Sequence, residues 1–372
     1  MPKKLKRKKS KIFIGLHEIC DYTLRLAQGM RELGYSVTHV LMHTGKTAPF
    51  KERTDKPDRY IYYYDNWAVL QVQLFWEFLK DFMSHDVFIF NIGTGFFSQG
   101  LETMHPALYK FYSKHLDWRL LKAMGKKIVV VNHGCDIRHY ESMEAWAKMK
   151  NIKYTVCMNC DQRDQCNLAM KSFKVKMIEK YADHIFSKSN AAYLYKRPYN
   201  YVWLPVKLSD FKSKVHATDE PLILHAPSAP AKKGTSYILD AIEALKGEGY
   251  KFKFKLCKNM VHSELMEHMV EAEIVIDQLL SWNGNYSLFS IEGMATGNVV
   301  LTSVIPNYKD TPPDTPIIPS NPDNIYKNLK KVLDNPVLRI ELAEKGLKFV
   351  KKYHEYRNVA KQFLKDIDEW VE

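Results

Sequence analysis

Short apolar runs alternate with helical patterns in two successive series, and this alternation constrains the fold more than any other feature. Residues 11–15 form an apolar run ending in Gly15, which reads as a buried strand and a turn. Tyr22, Leu26, Ala27, Met30 and Leu33 follow at helical spacing, with Gly34 as the stop, and residues 37–42 are the next strand. Strand, helix, strand in so short a stretch is a βαβ unit. The spacing predicts further strands at 86–90, 127–131, 183–187 and 201–205, and helices at 116–124 and 175–181. Residues 206–220 are polar and mixed, which marks a domain boundary. The pattern then restarts, with strands at 221–225, 250–256, 274–277 and 298–302 and helices at 236–246, 263–272 and 287–295. A Pro-rich connection (305–323) leads to two closing helices, about 323–333 and 336–370. The expectation is α/β, with two Rossmann-like doubly wound parallel-sheet domains facing a cleft. Residues 1–11 are a basic tail, 12–205 the first domain, completed by a closing helix at about 355–372, and 206–354 the second.

The chain has 372 residues and a net charge of +13. Part of that excess sits in Lys3, Lys4, Lys6, Arg7, Lys8, Lys9 and Lys11. Such a block is either a solvated tail or a contact for an anionic membrane, and no nucleic-acid recognition motif accompanies it. No run approaches the ~18 apolar residues of a spanning helix. The apolar run after the tail is too short for a secretory signal, and six cysteines in so long a chain suit a reducing compartment. The expected location is cytoplasmic, peripheral at the inner face of the membrane.

Two stretches carry chemistry. Residues 273–303 place a Gly/Asn-containing loop between a strand and a helix beginning near Ser287. A helix N-terminus offers free N–H groups and a positive dipole end, both suited to a diphosphate. Glu292 lies about one and a half turns on, where a carboxylate can accept from ribose hydroxyls; the plainer reading is a solvated helix residue. Residues 225–235 place Lys233-Gly234 between a strand and a helix, where an ammonium can stabilise a departing phosphate.

These stretches resemble the C-terminal half of family 4-type retaining glycosyltransferases of GT-B fold. The last element of that pattern is here Glu292-Gly-Met-Ala-Thr-Gly297. In the first half, Gly15 with the loop to Tyr22, the following helix, and Asn132-His-Gly-Cys-Asp-Ile-Arg138 resemble the family's first loop and histidine turn. The resemblance implies sugar transfer with retention from a nucleotide-diphosphate sugar, UDP- or GDP-linked, to a saccharide or lipid-linked acceptor, with no cofactor required; the basic charge and the lack of a spanning run point to surface polysaccharide synthesis. It implies His133, Lys233 and Glu292 as catalytic residues, with Gly15, Ser228, Tyr286, Ser287 and Leu288 also at the donor. Two positions depart from the pattern: Gly284 stands where the family often carries a second glutamate, and Ser228 where many members carry arginine. These departures motivate an alternative, a catalytically weak sugar-nucleotide-binding or scaffold protein.

Other constellations are less specific. Cys157 and Cys160 at C-x2-C spacing, with Cys166 and Cys135, are a candidate structural zinc site; the alternative is a set of reduced thiols. The tyrosines at 60 and 62–64 are either a sugar-stacking platform or a half-buried aromatic strand. Leu74, Phe75, Phe78, Leu79 and Phe82 repeat at helical spacing as the buried face of a helix. No P-loop is present, and the one Asp-x-Asp triplet, Asp366-Ile-Asp368, falls in the closing helix rather than after a strand.

Overall fold

The structure, a computed structural model, describes residues 9–43, 56–62, 66–98, 115–160, 166–188, 191, 194–280, 286–304 and 310–367. The chain divides into two compact units. The first comprises residues up to Arg138, Asn167–Val206 and Tyr356 onward; the second comprises His139–Cys166 and Lys207–Glu355. Residues 139–166, read from the sequence as part of the first domain, thus group with the second unit. Lys153 and the Tyr154 hydroxyl both bond Asp323 there, at 2.7 and 2.8 Å.

The first unit holds strands β1 (Lys11–Leu16), β2 (Ser36–His43), β3 (Arg59–Tyr62), β4 (Val87–Asn91), β5 (Lys127–Asn132), β6 (His184–Ser187) and β7 (Asn200–Tyr201). They form one parallel sheet in the order β3-β2-β1-β4-β5-β6-β7. β1, β4 and β5 are apolar along almost their whole length because helices cover both faces of the sheet. On one face Phe13, Phe88 and Phe90 pack under helices Trp67–Phe82 and Leu116–Ala123, through Leu70, Leu74, Phe78, Trp118 and Leu121. Helix Tyr22–Glu32 packs against the closing helix Tyr356–Asp366, whose Tyr356 hydroxyl donates to Glu32 at 2.6 Å.

The second unit holds β8 (Leu222–His225), β9 (Lys253–Leu256), β10 (Ile274–Ile276), β11 (Val299–Thr302) and β12 (Ile318–Pro319). They are parallel, in the order β12-β11-β10-β8-β9. Strand order reverses between β1 and β4 in one sheet and between β8 and β10 in the other. In doubly wound sheets ligands bind beyond the carboxyl ends of strands at such a reversal.

The closing segment departs from expectation. Residues 336–370 are not one helix but two, Pro336–Tyr353 and Tyr356–Asp366. No glycine or proline marks the break. It follows from tertiary bonds: buried His354 pairs with the Tyr286 hydroxyl at 2.8 Å, and Glu355 accepts from the Leu208 N–H at 3.1 Å. The tyrosine segment forms edge strand β3, with Ile61 buried and Tyr60 and Tyr62 exposed; Tyr63 and Tyr64 lie outside the described residues. No helix among the described residues is long and apolar enough to cross a membrane.

Candidate functional site

The second unit gathers a polar cluster at its strand-order reversal. After β8 the chain makes a short helix, Pro230–Lys233, and turns through Gly234 at φ +74°, a left-handed conformation that glycine adopts without strain. The Leu279 N–H donates to the Lys233 carbonyl at 2.9 Å, tying this turn to the loop after β10. Buried His225 holds the base of the turn. Its Nδ1 donates to the Ile276 carbonyl (2.7 Å) and its Nε2 accepts from the Thr235 hydroxyl (2.9 Å). Burial pushes His225 down to about 4, so the ring is neutral at pH 7, as its two bonds require.

Asp277, fully buried at the end of β10, is the centre of the cluster. Lys233 Nζ donates to its Oδ1 at 2.5 Å; Ser287 and Ser290 hydroxyls donate to its Oδ2 at 2.5 and 2.7 Å. Burial alone would raise this carboxyl, but the Lys233 ammonium and the three donors outweigh it and hold the group below the usual carboxylate range. Ser287 also caps helix Leu288–Ala295, its Oγ accepting from the Phe289 N–H at 3.1 Å. Asp277 therefore fixes together the lysine and the helix N-terminus, the two features the sequence picks out for a diphosphate. Sequence spacing alone does not single out Asp277. Its signal was an acid ending an otherwise apolar strand.

Glu292 is buried in helix Leu288–Ala295, and His262 Nε2 donates to its Oε1 at 2.8 Å. That excludes the solvated reading. Nothing in the sequence links His262 to Glu292, since the two stand on different helices. Ser228 is exposed in the loop after β8. Leu288 opens the helix. Tyr286 is turned away from the cluster, buried against Phe349 and bonded to His354. Gly284 lies outside the described residues.

The first unit has its own polar centre. His133, just after β5, donates from Nε2 to Asn91 Oδ1 at 2.7 Å and meets the Tyr22 ring edge-on at 4.9 Å. Burial pushes His133 down to about 4, against the pull of Asp136, so it too is neutral. Asp136 accepts from Asn132, His133 N and Gly134 N, which fixes the histidine turn. Gly15 lies inside β1 rather than in the loop; a Cβ there would meet the Val40 carbonyl oxygen at 2.7 Å, so its smallness serves strand packing. The loop after β1 carries Glu18, which accepts from Thr23 N, Leu24 N and the Thr23 hydroxyl. Burial raises Glu18 to about 7.

The zinc expectation is not met. Cys157 is buried, Cys160 and Cys166 are half-buried, and Cys135 is exposed with its Sγ accepting from Arg138 at 3.1 Å. A guanidinium thus stands against the thiol that was to complete the ligand set. Among the described residues no three His, Cys, Asp or Glu side chains are disposed to hold a metal ion.

No protein-family model matches the chain, and no curated protein is significantly similar to it in sequence. Solved structures do match along its length. One is the HepE protein of Anabaena in complex with UDP and glucose (TM-score 0.58, 9% identity, 97% of this chain and 100% of that one). Another is a glycosyltransferase from Rickettsia africae (0.57, 12%, 98% and 99%). A third is the catalytic domain of starch synthase IV from Arabidopsis thaliana bound to ADP and acarbose (0.54, 10%, 98% and 100%). At these identities the likeness is one of fold. The chain has the GT-B fold, two Rossmann-like parallel-sheet domains.

Proposed function

We propose that this protein is a glycosyltransferase that moves a sugar, with retention, from a nucleotide-diphosphate donor to a saccharide or lipid-linked acceptor in surface glycoconjugate synthesis. The observation that carries this reading is the cluster around Asp277, which sets an ammonium and a capped helix N-terminus at the strand-order reversal of the second sheet. In this reading the Lys233 ammonium and the N–H groups at Ser287 and Leu288 receive the charge that develops on the departing diphosphate. Glu292 accepts from the ribose hydroxyls; His262 holds one of its oxygens, and no second side-chain partner is found among the described residues. In the first unit, neutral His133 stands in the turn just after β5, where it would approach the donor sugar. The GT-B structures with UDP and glucose and with ADP and acarbose support a nucleotide-sugar donor here. An enzyme of this kind would work at the inner face of a membrane, where a lipid-linked acceptor is met.

A second reading is a sugar-nucleotide-binding protein of weak turnover. It is favoured by one feature: Lys233 is already neutralised by Asp277, and exposed Ser228 adds no second cation. The test is thermal denaturation with UDP-, GDP-, ADP- and dTDP-sugars, followed by assay of nucleoside diphosphate release. Stabilisation by one base with release supports the enzyme; stabilisation without release supports the binding protein; no stabilisation with any base overturns both. Glu292→Gln should weaken donor binding by ~1.5–3 kcal/mol, and Lys233→Ala should lower kcat more than affinity. Unchanged donor affinity in the first variant would remove Glu292 from the ribose site.

A further inference from the structure

Helix Trp67–Phe82 is apolar on two sides. Its inner side places Leu70, Leu74 and Phe78 in the core of the first unit. Phe75 and Leu79, which the helical repeat assigns to that buried face, are in fact exposed, together with Val69, Val72 and Trp76. Met83 follows at 70% exposure and Trp76 stands at 60%. Among the side chains described on this helix, Lys80 is the one exposed residue that is not apolar. The neighbouring helix Leu116–Ala123 repeats the arrangement: Trp118 and Leu121 are buried, while Leu116, Leu120 and then Met124 are exposed. Phe78 meets Phe96, Phe96 meets Phe90, and Phe90 stacks on Trp118, so both helices lie on the same side of the sheet. Each helix thus turns several large apolar side chains outward, away from the sheet, where scattered single residues would need no explanation.

Charge selects what covers it. The two acids of helix Trp67–Phe82, Glu77 and Asp81, are buried and held by Arg59 at 2.9 and 2.5 Å. Asp117, the acid of the neighbouring helix, is buried too. Among the described residues of both helices, the exposed charges are those of Lys80 and Arg119, both cationic. Lys80 reaches Glu77 at 2.7 Å but stays 59% exposed, so its ammonium remains available to solvent. A two-fold contact with a second copy would bring a purely cationic face against itself. A sheet of anionic headgroups over acyl chains complements both features, since aromatic and aliphatic side chains enter the boundary while cations stay among phosphates.

We propose that the outer sides of helices Trp67–Phe82 and Leu116–Ala123 form a docking surface for an anionic phospholipid membrane, independent of the basic N-terminal segment. The surface does not rest on the donor-site reading. The test is co-sedimentation of the full chain with vesicles of phosphatidylcholine alone and of phosphatidylcholine with phosphatidylglycerol. The chain should bind the second kind and little of the first. Val72→Asp with Trp76→Asp should lower partitioning at least ~10-fold, with an unchanged melting midpoint because both positions are exposed. Removal of residues 1–10 should leave the helix-dependent binding in place. No binding by the parent chain, full binding by the double variant, or complete loss on removing residues 1–10 would each overturn the proposal. So would a dimer in sedimentation velocity that the double variant dissociates, which would assign the face to a second copy. Donor binding should be the same in all variants, which separates this result from the fate of the donor site.

Discussion

Lys233 and Asp277 form an ion pair in which the carboxylate has no access to water and the ammonium has a little, 15%. Removing one charge from such a pair leaves the other uncompensated, at a cost of ~3–5 kcal/mol. Asp277→Asn should therefore lower the melting midpoint sharply in the absence of ligand. Bound diphosphate would restore a negative partner for Lys233, so the ligand-induced rise should be larger in the variant than in the parent. Equal rises would show that Lys233 does not meet the phosphate. His225 gives a pH test. Its pKa in the folded chain, about 4, lies below the unfolded value of 6.5. The unfolded chain therefore binds the extra proton first on acidification. The stability His225 contributes is complete above pH 6.5 and is lost as pH falls towards 4, by up to about 3 kcal/mol. His225→Asn keeps a donor for the Ile276 carbonyl and should flatten the pH dependence of the second unit's unfolding over that window. An unchanged slope would mean that another group governs the acid limb.

At the scale of elements, most strands were legible because both sheets are parallel and covered on both faces, so their strands read as short apolar runs. The turn at Lys233-Gly234 and the helix at Ser287 were legible for a related reason: a glycine and a capping serine stand in the connections after β8 and β10, each at the start of a helix. What escaped were features made by distant contacts. Asp277 gains its role only when Lys233, Ser287 and Ser290 converge on it, and His262 reaches Glu292 from another helix. The outward placement of Phe75 and Leu79 was equally hidden, because helical spacing finds an apolar stripe without saying which side faces the sheet. One long-range contact joins helix Pro336–Tyr353 to the entry of β10. Arg339 donates to Glu273 at 2.9 Å, both fully buried, and also to the Val332, Leu333 and Thr218 carbonyls. Arg339→Met should cost ~3–5 kcal/mol in urea unfolding, and a double variant with Glu273→Gln should recover part of it. Additive losses would contradict that coupling.

At the scale of the molecule, the first unit needs helix Tyr356–Asp366, which follows the whole second unit in the chain. Helix Tyr356–Asp366 buries Val359, Ala360, Phe363 and Leu364, and Phe363 stacks on Phe186 at 4.1 Å. At ~1.5–3 kcal/mol for each large apolar side chain, losing them is comparable with the whole stability of an ordinary domain, about 5–15 kcal/mol. A chain ending at Glu355 should keep a protease-resistant second unit and lose the first, which limited proteolysis with mass analysis would reveal. Survival of both units would mean that the closing helix only decorates its sheet.

The same interleaving sets an order of events during synthesis. By the time Val206 is made, all strands of the first sheet have been translated, yet the helix that packs on Tyr22–Glu32 has not. At ~5–20 residues per second, the ribosome needs roughly ten to thirty seconds more to complete helix Tyr356–Asp366. Through that interval the nascent first unit carries an uncovered apolar flank while the second unit, complete at Glu355, closes ahead of it. The unit whose strands are made first is thus the unit whose last packing element is made last.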